Sequence, residues 1–435
     1  MKPFLARDDY IKRAGLSLLS DYVENCFMEI IKKLQDHSLW VSFLNYKIDR
    51  GDMRKRDRED LIEFVNRREY IEYVERLANG QEMSLPRVLE VNKNGVRKKR
   101  VVFTFEREEN YVLKMLAYLL KEYDGLFSDN LYSFRNNTGV KKAIGRILAN
   151  VDFDEVYSYK ADIHDYFNSI NVDRILCMIK DRLPSEKWLY SFFERLLKNP
   201  YALKDETRIV VKKGVMAGTP TAGFLANLYL CDMDKYFMDR EVLYARYSDD
   251  IIVFSSSEES IVDYENVIKE FLQNNGIEVN PAKEVKTEPG EKIDFLGFEF
   301  TGKEINVSDM AEKKIKAKIK RKAKALYRWK IRKPASDERA AKALIRYLND
   351  KFYNNAIRGE ITWCRWYFPL ITSDSKLKEI DEYAVSNIRY LYTGKHGKKN
   401  YDLRYSEIQE MGYRSLVNNF WKYKRGKYNV DNEVG

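Results

Sequence analysis

The sequence predicts a protein of mixed α and β structure, with a central sheet domain, α/β or α+β, between two helical regions. Three observations predict it. Up to about residue 85, stretches such as LLSDYVENCFMEIIKKL and EDLIEFVNRREYIEYVERL carry apolar side chains three and four apart, the stripe of a half-buried helix. From Pro86 onward, β-branched runs alternate with helical ones. Beyond KIDFLGFEFTGKEINVS the strand-like runs stop, and helical patterns continue with interruptions at Pro334 and Pro369.

The elements follow in order. In LPRVLEVNKNGVRKKRVVFTF, β-branched runs flank Asn94-Gly95, the strongest short hairpin signal, so a basic hairpin is expected there. After helical NYVLKMLAYLLKEY comes VYSYKADIHDYFNSI, a strand-like run ending at Asp162 and followed by a polar turn and aromatics. RYSDDIIVF, residues 246–254, places Ser248-Asp249 between apolar strands, which suits the tip of a hairpin with the acids at the turn. From Lys313 to Lys333 the chain holds twelve basic residues and no acidic one. Ile315, Ile319, Ala323 and Leu326 recur there at helical spacing, so a helix buries that stripe and turns its lysines outward. Asp309 with Glu312 three residues later resembles a capping-box start. A run with no acid favours contact with a nucleic-acid backbone over a merely solvated face.

Composition bounds the function class. At 435 residues and 44% hydrophobic the chain can build two or three packed units, and a net charge of +10 favours polyanionic partners. Cys26, Cys177, Cys231 and Cys364 lie far apart and only three histidines accompany them, which excludes a disulfide framework and a zinc module and points to a reducing, cytoplasmic compartment. The N-terminus lacks a signal-peptide core and no apolar run approaches the ~20 residues of a membrane span, so no membrane partner is expected.

The chemistry rests on carboxylates. Adjacent aspartates between buried strands repel and desolvate poorly unless a cation compensates them. If the strand ending at Asp162 neighbours the RYSDDIIVF hairpin, Asp162 and Asp249 converge. Carboxylate ligands without imidazole or thiolate select hard cations such as Mg²⁺, with Mn²⁺ as a substitute. Two such ions about 4 Å apart clamp the attacking and leaving oxygens of phosphoryl transfer.

At this point the chain resembles the bacterial reverse transcriptases. YSDD at 247–250 is similar to that family's Tyr-x-Asp-Asp hairpin, and DIHDYF at 162–167 to its Asp-x-x-x-x-Phe segment. MAGTPTAGFLANLYL at 216–230 resembles its Gly-x-Pro-Gln-Gly and Asn-x-x-Leu block, FLGF at 295–298 the turn that ends the palm, and LYSFR at 131–135 the block near the fingers–palm junction. The resemblance implies an α+β right-hand polymerase fold: fingers and an antiparallel palm over 86–304, basic thumb-like helices over 305–362 and a helical extension over 363–435, after the N-terminal helices of 1–85.

It also implies roles. Asp162 and Asp249 bridge two metal ions, with Asp250 a weaker ligand that tunes charge or holds the turn. Phe167, next to Tyr166, stacks under the incoming sugar and selects deoxynucleotides. Lys93 and Arg100 grip the triphosphate from the fingers, with Lys98 and Lys99 as substitutes. Lys283, with Lys286 as its rival, acts as a general acid toward pyrophosphate. Gly218 and Gly223, around Pro220, let backbone approach nucleotide or template, although turn chemistry explains them equally well. Arg135 and the lysines Lys313, Lys316, Lys320 and Lys324 contact nucleic acid, and His164 stays at the surface. Thr221-Ala222 replaces the family's Gln-Gly, which puts template handling in doubt.

The implied partners are an RNA template, a structured non-coding RNA above all, together with dNTPs and a DNA product; self-association is compatible with the sequence. Asn355-Ala356 lacks the histidine of the retron signature, and the rest resembles stand-alone defence-associated enzymes that act against phage. Three other readings stay open: a template-independent terminal transferase, a protein-primed polymerase using tail tyrosines such as Tyr423 or Tyr428, and a silent RNA-binding scaffold. Trp363 and Trp366 read as core.

Overall fold

The structure is a computed structural model that describes residues 29–51, 53–92, 99–136, 138–212, 214–353, 362–395 and 398–427. Helices Ile30–Gln35, His37–Asp49, Lys55–Asn66 and Tyr70–Ala78 open it. Their apolar stripes meet around Trp40, which stacks on Tyr70 with ring centroids 4.3 Å apart.

The strands, in chain order, are β1 (Arg87–Asn92), β2 (Lys99–Thr104), β3 (Tyr157–Asp162), β4 (Tyr201–Lys204), β5 (Thr207–Val210), β6 (Tyr244–Tyr247), β7 (Asp250–Ser255), β8 (Val285–Thr287), β9 (Ile293–Phe295), β10 (Phe298–Thr301) and β11 (Glu304–Val307). They form three sheets, with orders β2-β1-β4-β5, β6-β7-β3-β8 and β11-β10-β9. Every pairing between these strands is antiparallel except a single parallel contact of Arg87 with Leu203, which makes the protein α+β rather than α/β. The β1–β2 hairpin pairs out to Asn92↔Lys99, and Asn94-Gly95 lies outside the described residues.

The middle sheet, the palm, is buried on both faces. Ile251 and Val253 of β7 enter one core, shared with the N-terminal helices, whereas Ile252 and Phe254 enter a second core shared with the C-terminal helices. The period-2 alternation of a strand therefore joins the two halves of the molecule through one sheet. β9 and β10 are linked by Leu296 and Gly297, with φ of 52° and 88°, the left-handed pair of a tight two-residue hairpin.

The basic segment forms the helix Asp309–Arg332, which buries Ile315, Ile319 and Ala323. Its cap is Ser308, whose side chain accepts from the Ala311 N–H, one residue before the expected Asp309. Asp309 and Glu312 instead pair with Lys376 of the helix Ser375–Thr393. β11 straddles the boundary drawn at residue 304, because Val307 still pairs with Phe298; the helices begin after it. Trp363 packs on Tyr367 at 4.4 Å and Tyr423 on Phe368 at 6.1 Å, both in the C-terminal core. Among the described residues no helix is long and apolar enough to cross a membrane.

Candidate active site

β6 and β7 form a hairpin whose two turn residues are Ser248 and Asp249. Ser248 has a φ of 61°, a value that side chains rarely adopt outside such turns. β3 lies beside β7 with Asp162 directly opposite Asp250, and the Ile163 N–H donates to the Asp249 carbonyl at 3.0 Å. Two segments more than eighty residues apart in sequence thus bring Asp162, Asp249 and Asp250 to one end of the palm sheet.

The three carboxylates repel one another. Burial, and then the Asp162 charge, raise the Asp249 carboxyl above its ordinary range, against the pull of Arg100 and Lys283. Burial and the charges of Asp249 and Asp162 push Asp250 up to about 6. The Lys283 ammonium is bonded to the Asp162 carboxylate, whose other oxygen accepts from Asn280 Nδ2 at 3.4 Å. Lys286 turns away to Glu265. Between the two lysines weighed from sequence, Lys283 is the one at the carboxylates.

Crowded carboxylate oxygens with raised proton affinity suit a hard divalent cation, which relieves the repulsion. Among the described residues no three acidic, histidine or cysteine side chains are set as a ready ion site, and Lys283 is paired with Asp162, so an ion there would have to displace that ammonium.

A pH effect follows from Asp250. Its folded-state value of about 6 lies above the ordinary 3.8, so the folded chain binds this proton more tightly than the unfolded one. The resulting destabilisation is full above about pH 6 and fades as pH falls toward about 4. Asp250→Asn is therefore expected to raise the melting temperature of the cation-free protein at about pH 7.5, by at most ~3 kcal/mol of stability, with the gain shrinking toward about pH 4.5. Melting curves in chelator across that range check it, and a gain that grows on acidification contradicts it.

Around the carboxylates, Phe167 is half-buried and meets Phe134 edge to face at 6.2 Å. Phe134 has a φ of 56° and is 55% exposed, an aromatic ring held at the surface on a disfavoured backbone. A Cβ at Gly223 would lie 2.6 Å from that ring, so this glycine makes room for Phe134. Gly218, with a φ of 97°, leaves space for Val102 and Phe103 of β2, and the Phe103 N–H donates to Ala217 at 2.8 Å. The fingers strand is thereby docked on the Gly218–Pro220 loop. Thr221 and Ala222 are buried and present no polar group to the cleft in place of the missing glutamine.

Several expected contacts fall elsewhere. Tyr166 is buried and its hydroxyl donates to the Ala226 carbonyl, which makes it a core residue rather than a nucleotide contact. Arg135 has a side chain only 5% exposed; it forks onto Asp124 with two bonds of 2.9 Å and donates to the Ser128 and Leu131 carbonyls, so it ties down a turn rather than binding nucleic acid. Lys316 pairs with Glu312 of its own helix and with Glu379, which the helix Ser375–Thr393 brings to that face, so it is already neutralised. Arg100 is exposed on β2, opposite Val91. Lys93 and Lys98 lie outside the described residues, and His164 is exposed.

Lys313, Lys320 and Lys324 remain exposed along the basic helix. Replacing these three with alanine is expected to reduce the slope of log affinity against log salt by roughly 2, at ~0.7–0.9 per phosphate contact. Filter-binding titrations against salt read this directly, and an unchanged slope removes the helix from the interface.

Sequence reasoning gave no role to Arg246, Asp234, Ser133 or Asn227, which are buried together beneath the turn. The available signal was Arg246 itself, a charge inside an apolar strand that has to find a partner.

A family model described as reverse transcriptase (RNA-dependent DNA polymerase) matches residues 91–300. The retron Ec86 reverse transcriptase of Escherichia coli is 22% identical over 243 residues, which is 54% of this chain and 68% of that protein. Among solved structures, apo telomerase from Candida tropicalis aligns with a TM-score of 0.46 and 11% identity over 79% of this chain and 62% of that one. The same enzyme truncated from its C-terminal domain gives 0.42 and 14% over 51% and 55%. Telomerase from Candida albicans in complex with a fragment of telomeric RNA gives 0.42 and 11% over 85% and 69%. This chain therefore spans little more than half of the truncated telomerase chain. The five sequence blocks, the palm hairpin that carries two of the acids and the family match fall on the same residues, so residues 91–300 form a reverse transcriptase (RNA-dependent DNA polymerase) domain similar to that of the retron enzyme.

Proposed function

We propose that the chain copies RNA into DNA by two-metal nucleotidyl transfer at Asp162, Asp249 and Asp250. The observation that carries this reading is the meeting of three mutually repelling carboxylates at one end of the palm sheet. Asp162 and Asp249 would hold the ions, Mg²⁺ or Mn²⁺, and Asp250 would contribute charge from the facing strand position. When bound, such ions activate the attacking hydroxyl and neutralise the leaving oxygen.

The remaining residues bind and orient. Arg100, on the fingers strand docked against the Gly218–Pro220 loop, reaches toward the triphosphate. Phe167, braced by Phe134, lies under the sugar. Lys283 is one bond away from Asp162 and so within reach of phosphate oxygens held there, where its ammonium can give up a proton to the leaving group. Lys313, Lys320 and Lys324 follow the template or product backbone. A structured non-coding RNA as template and a part in antiphage defence rest on the resemblance to stand-alone defence enzymes.

A second reading, template-independent addition, is favoured by one observation: Thr221 and Ala222 are buried and leave no amide to contact the template. Incubating the purified chain with each dNTP, with and without its co-purified RNA, and sequencing the products separates the readings. RNA-complementary DNA supports the first, products indifferent to added RNA support the second, and absence of any product refutes both.

A further inference from the structure

The cluster beneath the catalytic turn is more elaborate than packing requires. Arg246 and Asp234 are both 0% exposed. Arg246 Nε donates to Asp234 Oδ1 at 2.7 Å and Nη2 to Oδ2 at 2.5 Å, and the same carboxylate accepts the Tyr244 hydroxyl at 3.0 Å. The remaining guanidinium donors reach two carbonyls, Ser248 from Nη1 and Asn227 from Nη2, each at 3.3 Å. From the other side, Ser133 Oγ accepts the Ser248 N–H at 2.8 Å and donates to Asn227 Oδ1 at 3.2 Å. Asn227 Nδ2 closes the ring by donating to the Ser133 carbonyl at 2.7 Å.

Both backbone polar groups of Ser248 are thus held by buried side chains. The Ser248 carbonyl belongs to the peptide that leads into Asp249, so the plane held by Arg246 sets the direction in which the Asp249 side chain leaves the backbone. The Ser248 φ of 61° is a conformation that persists only where the surroundings over-determine it. General stability does not account for the pair, because a buried ion pair can usually be replaced by apolar side chains of similar volume without loss.

We infer that the Arg246–Asp234 pair, with Ser133, is a positioning device that aims Asp249 at Asp162. This rests on the metal reading proposed above. Residues that orient metal ligands from behind typically alter affinity 10- to 100-fold when removed.

Two variants of the full chain test it: Arg246→Met combined with Asp234→Leu, which keeps the volume apolar, and Ser133→Ala, which removes one oxygen. Four quantities are measured: melting temperature, Mn²⁺ binding to the nucleic-acid-free protein by electron paramagnetic resonance, the Mg²⁺ concentration that half-saturates DNA synthesis, and RNA affinity. The double variant is expected to fold, to bind Mn²⁺ at least ~10-fold more weakly and to need correspondingly more Mg²⁺, with RNA affinity unchanged. Ser133→Ala moves the same quantities in the same direction by a smaller factor. Mn²⁺ affinity within twofold of the parent in a folded variant overturns the inference; if the double variant does not fold, Ser133→Ala decides, and loss of folding in both assigns the cluster to stability and overturns it too. A parent chain that binds no Mn²⁺ overturns the metal assignment and this inference together, whereas parent-like binding in the variants overturns this inference alone.

Discussion

Replacing Asp249 and Asp250 together with asparagine is expected to lower DNA synthesis by at least ~10³-fold, since ions held by these groups supply several kcal/mol of transition-state stabilisation and each ~1.4 kcal/mol is tenfold in rate. The same change is expected to leave the fold intact and to stabilise the protein in chelator. Asparagine keeps the volume of aspartate but removes the charge, and both carboxyls have their proton affinity raised by burial and by their neighbours. Their charges therefore work against the folded, cation-free state. The Asp249 carbonyl that accepts from Ile163 is unaffected by the substitution, so the turn keeps its anchor to β3. Primer-extension rates and melting curves on one preparation check both halves. Retained synthesis rejects the assignment of these carboxylates, and lost synthesis with lost folding shows that the aspartates serve structure.

Phe167→Ala is expected to admit ribonucleotides, cutting discrimination against them by roughly 10- to 100-fold. The figure corresponds to ~1–3 kcal/mol, the cost of forcing extra atoms into an occupied space. The ring has little freedom to yield: it meets Phe134 edge to face, Phe134 is held against Gly223, and the Phe167 carbonyl accepts the Val215 N–H at 2.9 Å. Because Phe167 is only half-buried, its truncation costs less stability than the ~3–5 kcal/mol of a core Phe→Ala change. Single-nucleotide incorporation with matched dNTP and rNTP measures the ratio. Unchanged sugar selectivity takes Phe167 out of the nucleotide site and returns it to packing.

The legible parts of this protein were those with a local cause. The β-branched runs around residues 94–95 marked a hairpin, whose strands pair from Arg87↔Thr104 to Asn92↔Lys99. The stripe Ile315, Ile319 and Ala323 marked a helix, and Ser248-Asp249 between apolar runs marked a turn. The placement of two acids at that turn was legible for the same reason, since Asp249 and Asp250 are neighbours in the sequence.

Partners across the fold were not legible. Arg135 read as a basic residue in a nucleic-acid block, yet Asp124, only eleven residues upstream, neutralises it, because a 3₁₀ turn folds that acid back beneath it. Lys316 read as one of a uniform row, although Glu312 four residues upstream already pairs with it, and its second acid, Glu379, comes from a helix sixty-three residues on. The choice between Lys283 and Lys286 depended on the 3₁₀ turn Pro281–Lys283, which the Asn280 N–H anchors on the Asp162 carbonyl at 2.7 Å, whereas Lys286 lies on β8 opposite Tyr159.

By itself the sequence determined the order of helical and sheet regions and the crowding of like charges at Asp249 and Asp250, because helix and strand periods and adjacent like charges are written in neighbouring positions. Only the tertiary structure decided which charges are already neutralised, and that Arg246, Asp234 and Ser133 lie beneath the turn. Hydrogen bonds and ion pairs act within about 3 Å, and which groups come that close is set by the packing of segments a hundred residues apart.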